Sequence, residues 1–148
     1  MIQDTIKTSG EVIIVLKGSD NKIKNSIIVP NLVVTAGKSW IASRITDAND
    51  AVMTHMEVGT NNTAAAAGNT ALGAAVGSSR TSLTATSHST NTTQYTCTFG
   101  AGVCTGALTE AGIFNASSGG TMLCRTVFST INKASGDSLA VTWTITVG

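Results

Sequence analysis

The segment 138–147, with the sequence SLAVTWTITV, alternates apolar and polar residues along its whole length. Successive side chains of a β-strand point to opposite faces, so the alternation predicts a strand with one apolar face. That face holds Leu139, Val141, Trp143, Ile145 and Val147. Burying five such side chains contributes about 10 kcal/mol before conformational entropy is counted. The opposite face is alanine and threonine without charge, which suits contact with another protein or a second sheet.

Further β-type runs precede this strand. Apolar runs and turn residues predict a hairpin at 11–17 and 24–29, a strand at 51–58, paired strands at 80–86 and 92–99, and a hairpin at 107–115 and 121–128. Helical spacing predicts one short helix at about 35–46, with Thr35 as its N-cap. The fold class is therefore mainly β: a single-domain β-sandwich or jelly-roll-like barrel of about eight strands.

Two segments carry little core-forming sequence. Residues 1–9 are predicted to form an N-terminal arm, before a single β domain at 10–148. Residues 59–79 are rich in Gly, Thr, Asn and Ala, with Leu72 and Val76 as the only apolar anchors, and predict a long surface loop. We expect such segments to order when they bind a partner.

The chain is poor in charge. Asp, Glu, Lys and Arg make up 11% of its 148 residues and the formal net charge is +1, against roughly 25% charged residues in an ordinary soluble domain. Direct nucleic-acid binding is not expected, because it needs clustered Lys and Arg. No apolar run approaches the ~20 residues of a membrane span, and no secretory signal is evident. A nearly uncharged exterior favours a component of an assembly, covered by neighbours.

No motif points to catalysis. His55 and His88 lack metal-ligand spacing, and no serine has a nucleophile signature. We therefore expect no enzymatic activity, metal or cofactor. Trp40 and Trp143 are interpreted as core anchors rather than sugar-stacking platforms.

Two features of the cysteines and acidic residues leave alternatives open. Glu110 stands among small apolar residues, where a raised pKa would suit catalysis, but an ion pair with Arg125 on the partner strand of the hairpin is favoured. A Cys97–Cys104 disulfide would leave Cys124 free, while three reduced, buried thiols are the favoured interpretation.

Several stretches taken together resemble small structural proteins of tailed bacteriophages. They are VPNLVVTAGK at 29–38, MTHMEVGT at 53–60, LTEAGIFN at 108–115, MLCRTVF at 122–128 and the terminal strand. The resemblance implies a virion protein without catalysis, assembled in the bacterial cytoplasm. The expected role is a capsid cement (decoration) protein on the outer surface of the capsid. The alternative is a tail, baseplate or fibre component that serves attachment or binds host glycan through Trp40 or Tyr95.

A cement protein is expected to bridge major capsid subunits and to oppose their separation under internal DNA pressure. Its expected partners are the major capsid protein and further copies of itself, with a homotrimer favoured over a homodimer. The residues predicted to make intersubunit contacts lie in the arm and the long loop; they are Met1, Ile2, Ile6, Asn61, Asn62, Leu72 and Val76.

Overall fold

A computed structural model of the chain describes residues 2–48, 50–77 and 80–148 and shows a β-sandwich, which confirms the predicted fold class. The strands are β1 Thr8–Lys17, β2 Ile23–Pro30, β3 Leu32–Val33, β4 His55–Gly59, β5 Thr81–Ser82, β6 Ala85–Ser89, β7 Thr92–Phe99, β8 Gly106–Phe114, β9 Met122–Lys133 and β10 Ser138–Val147, and the helix α1 is Thr35–Ile45. Strands β2-β1-β10-β7-β6 form the first sheet, and β3-β9-β8-β4-β5 form the second. The ten strands exceed the predicted number because β3 and β5 are two-residue segments.

The terminal strand lies at the centre of the first sheet. Strand β10 has the predicted bounds and pairs with β1 on one side and β7 on the other, with Val12 opposite Trp143. Leu139, Val141, Trp143 and Ile145 are buried against the second sheet. Val147 is the exception to the predicted apolar face: it is exposed, because it is the last residue of the strand.

The β8–β9 hairpin is the core of the second sheet. It pairs Ile113 with Cys124 and extends to Lys133, five residues beyond the predicted end at Phe128. Ile131 is buried in this extension, and Lys133 buries its stem while its Nζ donates to the carbonyl of Gly100 at 2.8 Å. Strand β9 therefore continues beyond its apolar run, because Ile131 and the aliphatic part of Lys133 are also buried.

The predicted strand at 80–86 is wrong as a single element. It is divided between the sheets, with β5 against β4 in the second and β6 against β7 in the first. The backbone N–H of Leu83 donates to Thr54, and that of Thr84 donates to Thr96. The chain crosses between the sheets at these two residues. Strand β4 is also shorter than predicted, beginning at His55 rather than at residue 51.

Helix α1 covers one part of the sandwich, and its position confirms the predicted helix. Gly37 lies against the backbone of Leu123, where a Cβ would collide with the Leu123 carbonyl group. Trp40 and Ile41 pack on the main core. The predicted cap is wrong, because Val34 is the N-cap, without a side-chain hydrogen bond, and Thr35 is the first helical residue.

The arm is shorter than the predicted 1–9. Thr8 and Ser9 belong to β1 and pair with Val147 and Thr146, whereas residues 2–7 precede the strand and are exposed. Within the described part of the chain, none of the helices is both long and apolar enough to cross a membrane.

Candidate functional site

Glu110 and Arg125 lie together on the outer side of the second sheet. Arg125 donates through Nε at 3.0 Å and through Nη2 at 2.8 Å to the same carboxylate oxygen of Glu110. Both side chains are buried. Their strands are adjacent, with Arg125 opposite Gly112, so the two side chains meet diagonally across the β8–β9 hairpin.

This ion pair holds the segment 60–77, which we call the cover loop, onto the sheet. Glu110 accepts the backbone N–H groups of Asn61 at 3.2 Å, Gly73 at 2.9 Å and Ala74 at 2.7 Å. Arg125 donates to the carbonyl of Thr63 and to the side chain of Asn69, both at 3.1 Å. The carboxylate and the guanidinium thus supply partners for backbone groups of a loop that has little regular structure of its own.

The surroundings of Glu110 keep its carboxylate ionised. Burial alone would raise its pKa, but the N–H groups of Gly73 and Ala74, the guanidinium of Arg125 and the N–H of Asn61 together hold the pKa below its usual value. A general acid at neutral pH requires the opposite shift. The arrangement is therefore suited to fixing the cover loop and not to proton transfer.

The cysteines are three free, buried thiols, so the disulfide alternative for Cys97 and Cys104 is wrong and the favoured interpretation holds. Burial raises the pKa of Cys97 to about 12 and also raises the pKa values of Cys104 and Cys124. A reactive cysteine needs a lowered pKa and access to solvent.

The histidines are held by ordinary hydrogen bonds. His55 Nδ1 lies 2.8 Å from the Thr54 hydroxyl, and His88 Nε2 lies 3.0 Å from the carbonyl of Thr90. Across residues 2–48, 50–77 and 80–148, the structure gathers no group of three or more His, Cys, Asp or Glu side chains that could hold a metal ion.

The predicted contact residues fall into two groups. Ile2 and Ile6 are exposed on the arm, whereas Met1 lies outside the described residues. In the cover loop, Asn62 is exposed and Asn61 is half-buried, with its side-chain oxygen accepting the N–H of Thr63 at 2.8 Å.

Leu72 and Val76 face inward from the cover loop. Leu72 packs beside Phe114 and Met122, and Val76 packs on the main core. Much of their apolar surface is therefore already covered within the chain.

The outer face of the first sheet is a broad surface with few charged residues. Its middle row runs Ile28, Ile13, Thr142, Thr96 and Ala85 across all five strands. Strand spacings of about 4.8 Å and a rise of about 3.3 Å per residue give this face an area of roughly 600 Å². Within these strands, all of which the structure describes, the charged residues on or beside this face are Glu11, Lys17 and Lys24.

Two isoleucines make this face more apolar than its threonines alone. Ile13 and Ile28 pair across β1 and β2 and are both exposed, at 36% and 65%. The sequence signal for this apolar outer face is the continuous apolar run at 12–16. A strand with one face in solvent normally alternates apolar and polar residues, and this run does not. The predicted hairpin at 11–17 and 24–29 assigned no faces to its strands, so it did not identify the outward Ile13 and Ile28.

A scan against protein-family models, a search of curated proteins and a search of solved structures each returned no match.

Proposed function

We propose that this chain is a virion structural protein, a capsid cement protein that binds the outer surface of the capsid shell through the outer face of its first sheet. The observation that carries the proposal is that face: it spans five strands and is almost uncharged. Sheets that face water usually carry charged side chains, because neutral faces and edges invite association. This face is therefore suited to being covered by protein.

The size of the face supports the proposal. Roughly 600 Å² approaches the ~800 Å² that each partner contributes to a standard protein interface. The sequence resemblance to structural proteins of tailed phages supplies the class of partner, the major capsid protein.

In this role the protein acts by binding and not by catalysis, and it needs no cofactor. A copy that contacts two neighbouring capsid subunits adds buried area across their junction, which opposes their separation. Binding the assembled shell but not dispersed subunits stabilises the shell by mass action. The Glu110–Arg125 pair belongs to the second sheet, where it fixes the cover loop, so it contributes to the stability of the domain and not to the docking face.

The alternative role in glycan attachment gains no support from the aromatic residues that it would use. Stacking on a sugar needs an open aromatic face. Tyr95 is buried, and Trp40 is half-buried, packs on the core and donates its Nε1–H to the carbonyl of Ala51 at 2.8 Å. The packing of these two rings therefore weighs against glycan stacking as the role of this chain.

The test is a charge placed at the centre of the face. Thr142→Arg puts a guanidinium in the middle row, and Thr130→Arg makes the same change at an exposed position of β9 in the other sheet. Each purified variant is mixed with shells of the same virus that lack this protein, and occupancy is measured by co-sedimentation and electron microscopy. Circular dichroism and thermal melting check that both variants fold.

We expect wild type and Thr130→Arg to decorate the shell, and Thr142→Arg to lose at least tenfold in apparent affinity. Equal occupancy by Thr142→Arg and wild type would show that the outer face of the first sheet does not bind the shell. Absence of wild-type protein from the shell, with density for it in the tail, would overturn the cement role itself.

A further inference from the structure

An apolar groove lies between the root of the arm and helix α1. Its volume is about 500 Å³. Ile6 from the arm and Ile41, Ala42 and Ile45 from the helix line it, together with two charged residues, Lys7 and Lys38. Ile6 and Ile45 are 67% and 74% exposed, so the groove is open to solvent and its apolar walls are largely uncovered.

The arm presents an isoleucine and a carboxylate that could fit such a groove, and both are exposed. Ile2 is 99% exposed, so it makes almost no contact within its own chain. Asp4 is the one acidic residue between Ile2 and the start of β1, and it accepts a hydrogen bond from the exposed backbone N–H of Thr5 next to it. The arm thus presents an isoleucine followed two residues later by a carboxylate.

We propose that the arm of one copy docks in the groove of a second copy of this chain. Ile2 fills the apolar part of the groove, and Asp4 lies against the ammonium groups of Lys7 and Lys38. The occupant is assigned by complementarity: an apolar groove lined by two lysines matches an arm with one isoleucine and one aspartate. Each copy has one arm and one groove, so reciprocal exchange uses every site and closes a symmetric oligomer.

The size of the contact sets the expected effect. Burying one exposed isoleucine strengthens each arm–groove contact by roughly ten- to a hundredfold in its association constant. The ion pairs add less, because they lie at the surface and are screened by salt. Ile2 is therefore the residue whose replacement should weaken the oligomer most.

The first test compares two exposed isoleucines at different positions, Ile2 at 99% and Ile23 at 63% exposure. Ile2→Asp should convert the oligomer to monomers over the micromolar range, whereas Ile23→Asp, on β2, should leave its mass unchanged. Sedimentation equilibrium of the full chain, with any purification tag removed, measures the mass. Asp4→Lys should weaken association, and Asp4→Lys with Lys38→Asp should restore part of it.

The second test is complementation between two defective chains. One lacks residues 1–4, and therefore Ile2 and Asp4, but keeps the groove with Ile6 and Lys7 in its lining; the other carries Ala42→Arg, which fills the groove and keeps the arm. We expect each alone to be monomeric and the mixture to form a heterodimer with a single arm–groove contact. A monomeric wild-type chain, or an Ile2→Asp variant with unchanged mass, would overturn the proposal.

These outcomes are separate from those of the cement role, which the inference does not require. If only the arm contact is wrong, wild-type monomers will still bind shells through the first sheet. If only the cement role is wrong, Ile2→Asp will still abolish self-association.

Discussion

Replacing Glu110 with glutamine tests whether the buried ion pair holds the cover loop. One carboxylate oxygen accepts the N–H groups of Asn61 and Ala74, and the other accepts Gly73 and both donors of Arg125. A glutamine supplies a single acceptor oxygen, and its NH₂ group must then face at least two N–H donors. The change keeps the volume and removes only the charge and one acceptor.

The expected cost is large because the partner stays behind. Arg125 is 2% exposed, and leaving a buried charge without its counter-ion typically costs about 3–5 kcal/mol. Its bonds to the carbonyl of Thr63 and to Asn69 remain, which places the expected loss of unfolding free energy near the lower value, about 3 kcal/mol.

Urea unfolding measures this loss as a lower midpoint with an unchanged slope. The matched control is Glu57→Gln, whose carboxylate lies 3.6 Å from Arg80 and is partly exposed; we expect a cost of about 1 kcal/mol or less. Hydrogen exchange then localises the effect, because the amides of Gly73 and Ala74 should lose protection in Glu110→Gln. A variant within 1 kcal/mol of wild type, or one that keeps these amides protected, would refute the assigned role.

Three further outcomes follow from the same structure. The pKa of Glu110 is lower in the folded chain than its unfolded value of about 4.3, so its stabilisation is complete above that pH and declines as the pH falls below it. Stability measured from pH 6 to 2 should therefore fall less steeply in Glu110→Gln than in wild type, and parallel curves would contradict this. The three buried cysteines should resist a thiol reagent at pH 8 and all react in guanidinium; fewer than three thiols after unfolding would indicate a disulfide. Gly37→Ala should destabilise the protein despite the higher helix propensity of alanine, because a Cβ would collide with the Leu123 carbonyl, while Ser39→Ala on the exposed side should be neutral or stabilising in thermal melts.

The elements that sequence predicted best are those with a single strong pattern. Strand β10 was predicted with its bounds because ten alternating residues fix both its type and its faces. Helix α1 was predicted to within a residue, but not its cap, because Thr35 enters the helix and donates its backbone N–H to Ala67 of the cover loop. The residues around Thr35 give no indication of this contact, because Ala67 is far away along the chain.

The features that the sequence did not predict depend on contacts between residues far apart along the chain. Ser82 and Ala85 belong to different sheets because Leu83 and Thr84 bond to opposite sides of the sandwich, and a β-favouring run carries no sign of that crossing. The meeting of Glu110 and Arg125 was foreseeable from the hairpin. That Glu110 also accepts three backbone N–H groups of the cover loop was not, because those donors lie 36 to 49 residues away along the chain.

The distribution of charge links the interior of this protein to its exterior. Glu110, Arg125, Lys133 and Asp137 are buried although the chain has few charged residues. Glu110 and Arg125 fix the cover loop, and Lys133 and Asp137 bond to backbone groups at 100 and 134. Charges used in this way fix loops that have no apolar core of their own. In the first sheet, Asp137 also accepts Lys24 of β2 at 2.8 Å beside the start of β10, and most of the outer face between these strands stays neutral. If that face is where the protein docks, its neutrality lowers the cost of desolvating it, so more of the contact energy is kept as affinity.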